Sequence, residues 1–179
     1  MAQIHQGMFC LILCAMLAGP PAVKAGPDYN HFQVQLADGS DGIGDGLSVE
    51  GSHRFHQSGF VRGEFTAMDN LDRLAVGAGY LHIPSRGNRF ELSLTWEDWS
   101  NGFDDNAMVI AGRWSSQLSE SFGTRIGAGF YNFENRDNDL GVKAGGALAL
   151  GADFALVGDI ELFLEESFHI YRLGVRRSF

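Results

Sequence analysis

Cysteine is scarce in this chain of 179 residues, and it is confined to the N-terminal segment. Its two cysteines, Cys10 and Cys14, both lie within a short apolar run that extends from Met8 to Ala18. Small residues and prolines follow as far as Ala25, a pattern typical of a secretory signal peptide. We therefore expect residues 1–25 to be a cleaved signal peptide. Residues 26–179 would then form one domain without disulfides or thiol chemistry.

Basic residues and long apolar runs are also few. The chain has 13 Lys and Arg against 22 Asp and Glu, and loss of Lys24 with the signal peptide leaves 12 against 22, a net charge of −10. Affinity for nucleic acid is built from Lys and Arg contacts to phosphates, so this balance argues against a nucleic-acid partner. After the signal peptide, no stretch has the roughly 18 apolar residues of a membrane helix. Any membrane-spanning part must therefore consist of strands.

The chain does contain apolar–polar alternation, in ten segments. In the clearest of them, Phe90, Leu92, Leu94 and Trp96 are separated by polar or charged residues. On a helix these four side chains would scatter around the cylinder, and only a strand places them on one face. The pattern predicts an all-β fold, an up-and-down antiparallel transmembrane β-barrel over residues 26–179. We expect about ten strands, with eight as the alternative, because bacterial single-chain barrels of this kind have an even number.

The predicted connections alternate in character along the chain. Thirteen of the 22 acidic residues fall in the odd-numbered connections, where Arg136 is the only basic residue. An up-and-down barrel places all odd-numbered connections at one end, and with a periplasmic N-terminus that end faces outward, where longer loops are expected. The first of these connections alternates Asp with Gly, which predicts weak divalent-cation binding at its carboxylates. The candidate ligands are Asp38, Asp41 and Asp45.

The polar faces of the predicted strands carry nearly balanced charge, which predicts an ion-pair network inside a narrow lumen. The candidate members of this network are Arg54, Arg62, Glu64, Glu91, Arg113, Arg125, Asp159, Glu161, Arg172 and Arg176. Small barrels are filled by side chains, whereas open porins have roughly 16–18 strands, so we expect a plugged lumen. A narrow pore for small solutes or ions is the alternative. Aromatic residues near strand ends, including Phe163 and Phe168, predict the two interfacial girdles of a membrane barrel.

The last nine residues alternate as well. Tyr171, Leu173, Val175 and Phe179 share one face, and Arg177 is the exception on it. This segment resembles the closing strand of bacterial outer-membrane β-barrels, whose terminal Phe is an assembly signal for the barrel-insertion machinery. The whole layout resembles the small OmpX-like and opacity-type barrels. The resemblance implies location in the outer membrane, contact with its lipid and lipopolysaccharide, and a structural, surface-interaction or adhesion role without catalysis or a cofactor.

Two further interpretations compete with this one. His56-Gln57-Ser58 has the His-x-Ser spacing of lipid A deacylase barrels, with Glu64 as the nearby carboxylate, although a polar turn is the favoured interpretation. A soluble secreted barrel that binds a small ligand would show the same alternation, with its apolar face inward. The terminal Phe, the one-sided acidity of the connections and the nearly uncharged segment 140–150 favour the membrane barrel.

Overall fold

The computed structural model describes residues 29–179, so the predicted signal peptide at 1–25 lies outside the described part. The described residues form ten strands. These are β1 (His31–Gly39), β2 (Gly44–His56), β3 (Gly59–Met68), β4 (Asp72–Ser85), β5 (Asn88–Ser100), β6 (Asp105–Gln117), β7 (Phe122–Phe133), β8 (Asp139–Ala149), β9 (Phe154–Phe163) and β10 (His169–Ser178). Between residues 29 and 179 there is no helix long and apolar enough to cross a membrane.

The strands close into a single ring. Each strand pairs antiparallel with its sequence neighbours, and β1 also pairs with β10, so that Val34 lies opposite both Val49 and Val175. Full closure satisfies the backbone groups of every strand and leaves no open edge. The strands contain 9 to 14 residues, against the roughly 9–11 that a tilted strand needs to cross a bilayer. The prediction of a ten-stranded antiparallel barrel is confirmed.

The two faces of the barrel wall have opposite chemistry. The outward face is apolar and exposed, with Leu36 at 70% and Leu173 at 59% exposure. The inward face buries polar side chains such as Gln33, Glu50 and Thr66. A soluble barrel requires the reverse arrangement, because in solution the apolar outer belt seen here would be exposed to water. The polar interior and apolar exterior contradict the soluble-barrel alternative and match the surface of a membrane barrel.

The connections are short at both ends of the barrel. The odd-numbered ones contain three to five residues and the even-numbered ones two to four. We name the end formed by the odd-numbered connections the acidic rim, and the end that carries Tyr29 and the C-terminus the terminal rim. Among residues 29–179 the connections on the acidic side are therefore longer than those at the other end, but only slightly. The reason is that several of the predicted loop residues, including Asp38, Asp45 and Asp139, belong to the strands themselves.

Glycine makes room for large side chains inside the lumen. A Cβ added to Gly141 on β8 would lie 2.6 Å from Cε2 of Tyr131, closer than real Cβ contacts allow. The Tyr131 ring is held by neighbouring rings, including that of Phe163 at 5.1 Å, so it has little freedom to move aside. Gly112, on the outward face of β6, differs because an added Cβ would meet only Phe90, at 3.8 Å.

We expect Gly141→Ala to lower the free energy of unfolding by about 1–3 kcal/mol, the usual effect of forcing an extra group into a packed interior. Gly112→Ala is the matched control and should change it little. Denaturant unfolding in detergent micelles measures both variants. Equal stability of the two variants would contradict the packing described for Gly141.

Candidate functional site

The centre of the lumen is an ion-pair network organised around two arginines. Arg172 donates from Nη2 to Glu161 at 2.7 Å and from Nη1 to Asp159 at 3.1 Å. Arg73 donates from Nη2 to Glu64 at 2.7 Å, and both of its Nη atoms lie 3.3 Å from Oε2 of Glu161. The side chain of Arg172 has no exposed surface. Charges buried this completely are tolerated only when paired and hydrogen-bonded, as these are.

This network crosses the full width of the barrel. In the ring order, β4 and β9 are five strands apart in either direction, so Arg73 and Glu161 come from opposite walls. Lys143 on β8 adds a third cation, with Nζ 3.5 Å from Oδ1 of Asp159 and 4.0 Å from Oε2 of Glu161. Contacts between opposite walls place these side chains across the barrel axis at this level. The cavity beside the network has a volume of about 50 Å³, room for a few water molecules.

A second group of charges lies between this centre and the terminal rim. Glu91 accepts from Arg62 at 3.1 Å and lies 3.7 Å from Nη1 of Arg113. Arg125 pairs with Asp159 at 2.8 Å, which joins the two groups. Two cavities of about 20 Å³ each lie among these side chains. Each has room for about one water.

Tyr29 closes part of the terminal rim. Its side chain is buried, packs 4.7 Å from the ring of Phe60 and donates a hydrogen bond to Glu91 at 3.0 Å. Burial and then the Glu91 carboxylate raise the pKa of the Tyr29 phenol above its ordinary value. The hydroxyl therefore remains protonated and continues to donate at neutral pH.

At the acidic rim the lumen is filled by aromatic side chains, which we name the aromatic plug. The plug consists of Trp99, Phe103, Tyr131, Phe133, Phe163 and Phe168. Trp99 is 1% exposed, and its ring lies 5.4 Å from Phe163 and 5.6 Å from Phe133 in edge-to-face contacts. This geometry is the one that aromatic pairs prefer. The plug rests on the charged network, because Trp99 donates to Glu97 and Tyr131 donates to Glu161, each at 2.9 Å.

Hydrogen bonds and ion pairs link the five short connections of the acidic rim into a continuous ring. The links in order are Asn70 to the Gly42 carbonyl, Asn101 to the Asp69 carbonyl, Asn135 to the Asp105 carboxylate, the backbone of Glu165 to the Asp139 carboxylate, and the backbone of His169 to the Ser40 hydroxyl. Because every connection is bonded to the next, the acidic rim is a rigid surface rather than a set of independent loops.

The structure brings most of the predicted lumenal residues together. Arg62, Glu64, Glu91, Arg113, Arg125, Asp159, Glu161 and Arg172 form the ion pairs described above. Arg176 is buried in the lumen near the terminal rim. Arg54 does not join the network, since its guanidinium donates to the carbonyls of His56 and Gln57 in the β2–β3 turn. Arg73, Glu97 and Lys143, which share the inward parity of their strands, also belong to the network.

The three predicted metal ligands all lie at the acidic rim. Asp38 and Asp45 face each other on β1 and β2, while Asp41 accepts from the Ser40 hydroxyl. Among residues 29–179 no group of three or more potential ligands forms a metal site, so the structure does not assemble these three carboxylates around one point.

Tyr171, Leu173 and Phe179 are exposed on the outward face and Val175 is half-exposed there. The guanidinium carbon of Arg177 lies 5.9 Å from the ring centre of Phe154.

One sequence prediction is wrong in its placement. Phe163 and Phe168 were expected in the interfacial girdles, but they are 2% and 4% exposed and belong to the aromatic plug. Glu64 pairs with Arg73 in the lumen, as its inward position predicts, so it does not complete the catalytic alternative at His56 and Ser58. Glu64 is five residues along β3 from the turn, about 16 Å at the usual rise of a strand. The His56-Gln57-Ser58 segment is a turn in which the Ser58 amide donates to the His56 ring.

Comparison with known proteins identifies the fold but not the family. No protein-family model and no curated protein sequence matches the chain. The KdgM porin in complex with disordered oligogalacturonate is similar in structure, with a TM-score of 0.58 and 14% identity over 83% of this chain and 99% of that chain. The NanC porin has a TM-score of 0.56 and 11% identity over 83% of this chain and 100% of that chain. At such identities the similarity shows a shared β-barrel fold.

We expect Arg73→Met to destabilise the barrel by about 3–5 kcal/mol, because it leaves Glu64 and Glu161 short of a buried partner. Arg86→Met, in the exposed β4–β5 turn, removes the same charge at the surface and should cost less than about 0.5 kcal/mol. The measurement is the temperature at which the folded, SDS-resistant form converts to the unfolded form, read from gel mobility after heating samples to a series of temperatures. Equal conversion temperatures would contradict the central position of Arg73.

Proposed function

We propose that this chain is a non-catalytic outer-membrane β-barrel with a closed lumen, which acts through its acidic rim in a structural or surface-interaction role. The outer-membrane location is supported by the apolar outward face, by the barrel fold shared with porins and by the predicted signal peptide. The predicted partners are membrane lipid, lipopolysaccharide and, through the closing strand, the barrel-assembly machinery. The finer assignment to the OmpX-like and opacity-type barrels remains a prediction.

The observation that carries this proposal is the double obstruction of the lumen. Arg73 and Glu161 meet from opposite walls, and the aromatic plug covers them on the side of the acidic rim. A solute would have to separate buried ion pairs and displace Trp99 and its neighbouring rings at the same time. Separating a buried pair without replacing its partners costs several kcal/mol, so the closed arrangement is the stable one.

A narrow pore is the second candidate function. It is favoured by the structural similarity to the KdgM and NanC porins, of which the former is described in complex with oligogalacturonate. The same barrel would conduct only if the aromatic plug moved and water replaced the contacts between Arg73 and Glu161. Conductance therefore separates the two candidates directly.

In planar lipid bilayers we expect the wild-type protein to give no resolved single-channel steps, because both obstructions lie on the barrel axis. An open porin inserted in the same bilayer is the positive control. Reproducible steps from the wild-type protein would overturn the closed-lumen proposal and favour the pore. In that case Trp99→Ala should increase the step size, while Trp96→Ala, on the outward face, should not.

The orientation of the acidic rim can be tested by cysteine labelling, since residues 29–179 contain no natural cysteine. Asp137→Cys lies in the exposed β7–β8 connection of the acidic rim, and Ser119→Cys lies in the exposed β6–β7 connection of the terminal rim. We expect a membrane-impermeant maleimide added to intact cells to label only Asp137→Cys. After lysis both variants should react. Labelling of Ser119→Cys alone in intact cells would invert the orientation and contradict a surface role for the acidic rim.

A further inference from the structure

Above the aromatic plug, the acidic rim contains a pocket with a volume of about 310 Å³. This volume is within the range of small-molecule sites, roughly 300–1,000 Å³. It is also several times larger than the cavities inside the lumen, of about 20 and 50 Å³. We name it the rim pocket. Its size sets it apart from the water-sized gaps between the ion pairs below it.

The walls of the rim pocket combine apolar and acidic groups. Ile43, Phe103 and Phe168 supply the apolar surface, and Asp41 and Glu166 supply two carboxylates. Ile43 and Phe168, in the β1–β2 and β9–β10 connections, are each 4% exposed, so they are packed into the barrel end and present only a small area to the pocket. The residues that line the pocket include no Lys or Arg. A ligand with an apolar body and a positive charge complements these walls.

The rim already holds one cation of its own, Arg136, against two lining residues of the pocket, Phe103 and Glu166. The guanidinium carbon of Arg136 lies 4.4 Å from the ring centre of Phe103, and the side chain also lies 3.7 Å from Glu166. A cation over an aromatic face beside a carboxylate is a favourable arrangement. Arg136 is the only basic residue in the odd-numbered connections, against 13 acidic residues in the predicted spans. The field of the rim therefore attracts cations to the mouth of the pocket.

The pocket is also held in shape before any ligand binds. Asn70, one of its lining residues, donates from its side chain to the Gly42 carbonyl at 2.7 Å and from its backbone to the Ile43 carbonyl at 3.0 Å. These bonds fix the β1–β2 and β3–β4 connections against each other. A site that is already ordered loses little conformational entropy on binding.

We propose that the rim pocket binds an organic ammonium group carried on a short alkyl chain, with the chain along the wall that contains Phe103 and the charge near Asp41 and Glu166. This inference deepens the proposed function, because it names a ligand class for the acidic rim. The ammonium group can belong to a free alkylamine or diamine, or to the lysine side chain of a partner protein. Both sources present the same chemistry to the pocket.

The test is isothermal titration calorimetry on the folded protein in a non-ionic detergent, with pentylamine, 1,5-diaminopentane and a short lysine-containing peptide as probes. Pentanol is the neutral control of the same length. We expect the amines to bind and pentanol to bind at least tenfold more weakly. Equal binding of pentylamine and pentanol, or no binding of any amine, would overturn the proposal. Tighter binding of the peptide than of the diamine would identify a protein side chain as the source.

Paired variants separate the pocket from the general field of the rim. The double variant Asp41→Asn/Glu166→Gln should weaken amine binding at least tenfold. Glu134→Gln/Asp137→Asn removes the same charge from exposed rim positions outside the pocket and should weaken it less than twofold. Equal effects of the two double variants would show attraction by the rim field alone and would overturn the site. Channel conductance by the wild-type protein would overturn only the closed-lumen proposal, because binding at the rim is measured independently.

Discussion

The fold depends on the pairing of charges across its interior, with Arg73 and Arg172 facing Glu64 and Glu161. In a water-soluble protein, burial of apolar side chains draws the core together, but here many apolar side chains of the wall face outward and buried ones are concentrated in the aromatic plug. The lumen must therefore be held by polar contacts whose partners are all supplied from within. Because a buried charge without its partner is costly, the network leaves little freedom in how the walls are spaced.

Two apolar groups cover this charged interior at its ends, the one at the terminal rim only in part. Tyr29 and Phe60 lie at the terminal rim, and the aromatic plug lies at the acidic rim. Both groups donate hydrogen bonds to the charges beneath them, Tyr29 to Glu91 and Tyr131 to Glu161. Keeping bulk water away from the ion pairs strengthens them, since their interaction grows as the local dielectric falls. The two groups and the network therefore stabilise each other.

The sequence predicts the wall of the barrel much better than its contents. Successive side chains of a strand point to opposite faces, so apolar–polar alternation in the sequence predicts that Leu94 faces outward and Glu161 inward. The pairing of Arg73 with Glu161 joins residues 88 apart and depends on ring closure, which no local pattern contains. The aromatic plug was missed because aromatic residues near strand ends were assigned to the girdles. Parity was the available signal, since Trp99 shares the inward face of Glu91, Ser93 and Glu97.

Contacts between distant parts of the chain have a consequence for assembly. The first and last strands pair with each other, and Gln35 on β1 donates to Asp159, 124 residues further along the chain. Until the final strand arrives, the carboxylates and guanidinium groups of the lumen lack some of their partners and need water beside them. Such contacts form late and slowly. Until the barrel closes, the charges of the lumen therefore need water rather than the hydrocarbon phase beside them, and pairing of the first strand with the last completes their network.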